Sequence, residues 1–125
     1  MTREEFDKYL VSIGGLLRTY REDKGPIVDS RYLGVGEGWL PLIKEMIDEL
    51  LAAGWDRKLA QSKEKFGGLR FYIGSSNDDL HTIVAKYERK SYELCEKCGK
   101  EGQLRKGGWM KTLCDEHSEG REVVK

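Results

Sequence analysis

The stretch from Cys95 to His117 constrains this chain more than any other. It reads Cys95-Glu96-Lys97-Cys98, fifteen intervening residues, then Cys114-Asp115-Glu116-His117. It takes all three cysteines and one of the two histidines of the 125 residues. Two ligand pairs, each split by two residues, can converge on one tetrahedral ion, which is the pattern of a Cys3His zinc site. The spacing has a geometric origin. A pair separated by two residues fits a tight turn or the first turn of a helix, and both donors then reach one ion at about 2.0–2.3 Å. Gly99, directly after the first pair, permits the positive φ that such a turn often needs. Between the pairs, Gln103–Arg105 and Trp109–Leu113 flank Lys106-Gly107-Gly108 in the manner of a short β-hairpin. Four ligands close the shell, so the expected ion is structural Zn2+, supplying folding free energy that some thirty residues could not obtain from a core.

Length and cysteine usage agree with this reading. A chain of 125 residues suits one small domain, or one domain carrying a zinc-bound unit, and 38 % hydrophobic residues support a modest core. The longest apolar runs are four or five residues, too short to span a membrane. The first twenty residues mix acidic and basic side chains and contain no apolar signal segment, from which cytoplasmic residence is expected. A reducing compartment favours thiolate ligands over disulfides, and three cysteines plus one histidine complete a shell that a disulfide would leave with an odd thiol.

Four further segments carry periodic patterns. Phe6, Tyr9, Leu10, Ile13, Leu16, Leu17 and Tyr20 recur at three- and four-residue spacings and predict an amphipathic helix over about 3–20. Thr2 and Glu5 form its capping box, and Gly14-Gly15 weakens or bends it. Residues 21–38 form a polar connector. Its Gly34, Gly36 and Gly38 superficially suggest a phosphate loop, but the Lys-Ser/Thr of a P-loop is absent, and an ordinary loop before a helix is the better reading. Residues 39–53 predict a second helix, with Pro41 in its first turn and Gly54 as its stop. Residues 57–74 predict a β-hairpin turning at Phe66-Gly67-Gly68, with Leu69, Phe71 and Ile73 inward. Lys63, Lys65 and Arg70 line its outward face, where solvated strand residues are the ordinary interpretation. Residues 77–92 predict a third helix, in which His81 is a surface or packed side chain rather than a general base. The expected architecture is α+β: a core over 1–94, with a zinc-bound treble-clef or zinc-ribbon-like unit over 95–125 docked on it.

The zinc segment resembles the scaffold of some HNH nucleases, but 99–113 contains no His, Asp or Asn to serve as base or catalytic-metal ligand. The combination of Lys63-Glu64-Lys65-Phe66-Gly67-Gly68-Leu69-Arg70-Phe71-Tyr72 with Cys95-x-x-Cys98-Gly99, Gly107-Gly108-Trp109 and Leu113-Cys114-Asp115-Glu116-His117 has a closer parallel. It resembles a group of small, mostly uncharacterised proteins of bacteriophages, prophages and bacterial genomes. The resemblance covers roughly 39–117, implies an accessory protein of phage or mobile-element type, and carries no catalytic residues with it.

Three functional classes follow as expectations. The first is a non-enzymatic binding protein that inhibits a host macromolecular complex, as anti-CRISPR proteins do, with a protein partner contacted by Trp109 and its neighbours Arg105, Lys106 and Lys111. The second is a nucleic-acid-binding zinc ribbon, with Lys97, Lys100, Arg105, Lys106 and Lys111 on phosphates and Trp109 on a base. The third is an HNH-related nuclease. Twenty-two basic residues balance twenty-two acidic ones, and 95–125 holds seven of the former against six of the latter. Composition therefore supplies no overall basic bias for nucleic acid.

Overall fold

Thr2 starts the first helix, α1 (Arg3–Ser12), through the expected reciprocal cap. Its hydroxyl accepts the Glu5 amide at 3.1 Å, and the Glu5 carboxylate accepts the Thr2 amide at 2.9 Å. The helix predicted over 3–20 stops at Ser12, because Gly14 and Gly15 take φ of +86° and +74° and turn the chain out of the helix. Arg57 seals this end: its Nη1 donates to the carbonyls of Ile13 and Gly15 at 2.9 and 3.0 Å. A side chain on Gly15 would press on Pro26 and on the Ile27 carbonyl, 2.9 Å away. Leu16 and Leu17 consequently enter extended structure. Leu16 bridges Ile27, and β1 (Leu17–Arg18) pairs parallel with the start of β2 (Lys58–Lys65).

The computed structural model describes residues 1–125, and its architecture is α+β with three helices. One sheet has the order β1-β2-β3, with β3 (Gly68–Ile73) antiparallel to β2. The turn between them is the two-residue Phe66-Gly67, both at positive φ, as a type I′ hairpin requires. A bulge between Leu59 and Gln61 shifts the register, so that Leu59, Ser62 and Glu64 share a face with Ile73, Phe71 and Leu69.

The second helix, α2 (Leu40–Ala52), and the third, α3 (Asp78–Ser91), match the predicted spans to within a residue at each end. Asn77 caps α3 by accepting the amides of Asp79 and Leu80. The helices pack on the inner sheet face, burying Phe6, Trp39, Ile43, Met46, Leu69, Phe71 and Tyr87 in one core. Glu49 joins them, accepting from Lys86 Nζ at 2.7 Å and from the Tyr87 hydroxyl at 2.9 Å. The free edge of β3 is closed by α3, whose Ser91 hydroxyl and Glu88 carboxylate accept the Leu69 and Phe71 amides, each at 2.9 Å. No helix is long and apolar enough to cross a membrane.

Residues 103–113 form the expected hairpin, β4 (Gln103–Arg105) paired antiparallel with β5 (Lys111–Leu113). Trp109 and Met110, predicted as strand, belong to its apical loop. The terminal segment folds back along β4. Lys106 donates to the Glu122 carbonyl at 2.7 Å, and Val124 donates to that of Leu104 at 2.8 Å.

A candidate metal centre seated on a glycine loop

Cys95, Cys98, Cys114 and His117 converge. Their ligand atoms all lie within 4.8 Å of one another, and no disulfide links the sulfurs. The Cys98 and Cys114 sulfurs are 3.7 Å apart, and His117 Nδ1 lies 3.2 Å from Cys114 Sγ and 3.9 Å from Cys95 Sγ. A tetrahedral ion with ordinary thiolate and imidazole bonds requires edges of about 3.8 Å between sulfurs and about 3.6 Å from sulfur to nitrogen. The four donors therefore fit a single metal ion.

Each ligand pair owes its direction to a turn. After Cys95 the chain curls back, the Gly99 amide donating to the Cys95 carbonyl at 2.8 Å, with Gly99 at φ +80°. The second pair leaves β5 into another turn, in which His117 N–H donates to the Cys114 carbonyl at 3.2 Å. No helix begins at the second pair, so of the two layouts the spacing allowed the unit has the two-turn one of a zinc ribbon rather than the helical end of a treble clef. Burial raises the Cys95 thiol, but the amides of Cys114, Cys98 and Lys97 outweigh it and bring the group down to about 7. Amides aimed at a sulfur favour the thiolate that a metal requires. Cys95 and Cys114 are buried, His117 is half-buried and Cys98 is exposed, which puts the centre just beneath the surface.

Two of the three glycines read as an ordinary loop, Gly36 and Gly38, are what this centre rests on. Gly36 N–H donates to the Glu96 carboxylate at 2.9 Å, Gly38 N–H to the Glu96 carbonyl at 2.8 Å, and Trp39 Nε1–H to the Leu94 carbonyl at 2.9 Å. A Cβ on Gly36 would stand 2.5 Å from the Glu96 carbonyl oxygen. From the other side, the Thr112 hydroxyl donates to the Gly67 carbonyl at 2.7 Å, joining β5 to the turn of the β2–β3 hairpin. Desolvation raises the half-buried Glu96 carboxyl, against the lowering by the Gly36 amide. The spacing of glycines at alternate positions signals close backbone approach, and a knuckle is what approaches.

The remaining predicted site residues separate into two groups. Arg105 is a correction: it is 5 % exposed and points inward, donating to the carbonyls of Leu113 and Arg121 and to the Asp115 carboxylate at 3.0, 3.1 and 2.7 Å. It clasps β4, the second ligand turn and the terminal segment together, and so cannot reach a partner. Lys97 is likewise engaged, in an ion pair with Glu119. Lys106 is exposed, Lys111 is half-buried, and Trp109 is 63 % exposed on the apical loop. Arg121 Nη1 steadies that loop by donating to the carbonyls of Lys106 and Trp109. His81 Nε2 lies 2.6 Å from the Ser75 carbonyl at the surface, a local contact within its own helix start.

Comparison with models of protein families, with curated proteins and with solved structures finds no match to this chain.

Proposed function

We propose that the protein is a zinc-stabilised, non-enzymatic binding module whose partner is a protein, acting as an inhibitor of a host macromolecular complex in the manner that its phage-type resemblance implies. Zinc is the ion that suits three thiolates and one imidazole in a closed tetrahedral shell, and its role is to set the hairpin rather than to activate water. The observation that carries the reading is Trp109. Its indole stands 63 % exposed on a loop whose base is tied by Arg121 and whose stem is set by the four ligands. A large aromatic held out on a braced support loses little entropy on docking, which is how interface anchors work. The nucleic-acid reading of this hairpin is weaker, because two of its five basic residues, Lys97 and Arg105, are spent on Glu119 and Asp115.

Affinity capture from a lysate of the organism that carries the gene, followed by reconstitution with the purified candidate, tests this. The wild type should form a stoichiometric complex, and Trp109→Ala should weaken it by tenfold or more with metal content and melting temperature unchanged. A complex indifferent to Trp109, or no purified protein that binds, would refute the proposal.

A further inference from the structure

The outward face of the β2–β3 hairpin gathers three cations and no carboxylate of its own. Lys63 stands directly opposite Arg70, and Lys65 lies on the same face opposite Gly68. None of these three forms a salt bridge. Two carboxylates lie nearby but off this face: Glu64 belongs to the inner face and accepts the Gly67 amide at 2.7 Å, while Glu88, at the strand edge, accepts the Phe71 amide and favours the charge of Arg70 from there. Like charges placed opposite each other across a strand pair destabilise it. In a chain of zero net charge, with twenty-two carboxylates to distribute, a cationic cross-strand pair in which neither member forms a salt bridge is a cost that folding does not demand.

Aromatic surface borders these cations. Tyr72 follows Arg70 on the same face, 43 % exposed and opposite the exposed Gln61. Phe66, 54 % exposed, closes the hairpin, with Lys65 Nζ 5.4 Å from its ring centre. Arg70 is held in place: its Nη1 donates to the Leu69 carbonyl and its Nη2 to the Tyr92 hydroxyl, both at 3.0 Å. The Tyr92 ring lies over Gly68, where any Cβ would strike it, so the tyrosine forms one wall of the face. Cations interleaved with exposed rings on a rigid strand pair match a polyanion with unstacked bases.

We propose that this face binds single-stranded nucleic acid, with Lys63, Lys65 and Arg70 on phosphates and Tyr72 stacking on a base. The Trp109 hairpin abuts the Phe66-Gly67 turn at Lys111 and Thr112, but the proposal rests on the sheet residues and not on the protein-partner reading. Phosphate contacts supply most of the affinity and make it fall with salt, while stacking on Tyr72 adds a salt-independent part.

Fluorescence anisotropy of the metal-loaded protein with labelled oligothymidylate and oligouridylate of about 20 nucleotides, titrated from about 50 mM salt upward, tests it. Either oligomer should bind, and a duplex of equal length should bind at least tenfold more weakly. Replacing Lys63, Lys65 and Arg70 together by Gln should lower affinity tenfold or more and flatten the log–log salt slope by about 2. Tyr72→Ala should lower affinity severalfold at unchanged slope. Lys63→Gln alone should melt no lower than wild type, because it removes a like-charge pair, yet lose affinity about threefold with a slope change of about 0.7. That single variant decides the matter if the triple one does not fold. Absence of binding, equal binding of duplex, unchanged affinity in Lys63→Gln, or loss in a Lys106→Gln, Lys111→Gln variant in place of the sheet variants would overturn the proposal.

Discussion

Gly38 and Cys95 meet so closely that no side chain fits between them: a Cβ on Gly38 would collide with the Cys95 carbonyl oxygen and stand 2.5 Å from the Gly99 amide nitrogen. The first metal-ligand turn is thus built against the start of α2 with backbone in direct contact with backbone at this point. Gly38→Ala should push the knuckle off its seat and lower stability by about 1–3 kcal/mol, the usual result of overpacking. Chemical denaturation and competition with a chromogenic chelator should report lower stability and faster metal release. Gly108→Ala, which meets nothing within 4 Å, is the control and should change stability by less than about 0.5 kcal/mol.

Arg105 predicts a different signature. Its truncation to Ala leaves the carbonyls of Leu113 and Arg121 without their donor in a buried setting and frees the terminal segment. The expected loss is about 2–4 kcal/mol. Lys at this position should recover little of it, because one ammonium cannot serve three acceptors spread around a planar fork. Denaturation of Arg105→Ala and Arg105→Lys checks this, and near-wild-type stability of either would contradict the clasp.

Acid should weaken the hydrogen bonds that Asp48 and Glu49 accept on α2. The hydrogen bond from Lys86, then that from Tyr87, holds the Glu49 carboxyl below its ordinary value of 4.5. Burial acts to raise Asp48, but hydrogen bonds from Lys44 and Tyr9 outweigh it and leave that group lowered too. Groups with depressed folded-state pKa values stabilise fully above their unfolded values, and the contribution disappears as pH falls through the folded ones. Glu49→Gln should therefore melt below wild type at neutral pH, with the gap closing between about pH 5 and pH 3. A gap that stays constant would show that the Glu49 charge is not the stabilising element.

Removing the metal should loosen two segments distant in sequence. Cys98→Ser, or chelation of the wild type, should abolish amide protection over 94–117 and also over 36–39, whose amides and indole bond to Glu96 and Leu94. The α2 stripe around Ile43, Ile47 and Leu50 is buried against the sheet and α3 and should keep its protection. Hydrogen exchange read by mass spectrometry distinguishes this from global unfolding.

The sequence is legible where the determinant is local. Thr2 and Glu5, Asn77, Pro41, and the alternation of Leu69, Phe71 and Ile73 each specify their element through neighbours a few residues away, and each element formed. The paired spacing of the four ligands carried the site for the same reason. The helix drawn through Leu17 and Tyr20 failed because apolar periodicity continued across Gly14-Gly15 while the backbone did not. Gly36 and Gly38 were unreadable because their partner, the 94–99 turn, lies some sixty residues on, and Gly34 because it faces β2 at Ser62 and Lys63. Arg105 was misassigned as a surface contact since charge implies exposure by default, and only its three acceptors explain its burial.

The central claim is one ion held by Cys95, Cys98, Cys114 and His117, and X-ray absorption at the zinc edge of stoichiometrically loaded protein tests it most directly. Three sulfur scatterers at about 2.3 Å and one nitrogen at about 2.0–2.1 Å are predicted. A shell of oxygen and nitrogen alone, or a folded protein that binds no zinc, would contradict it.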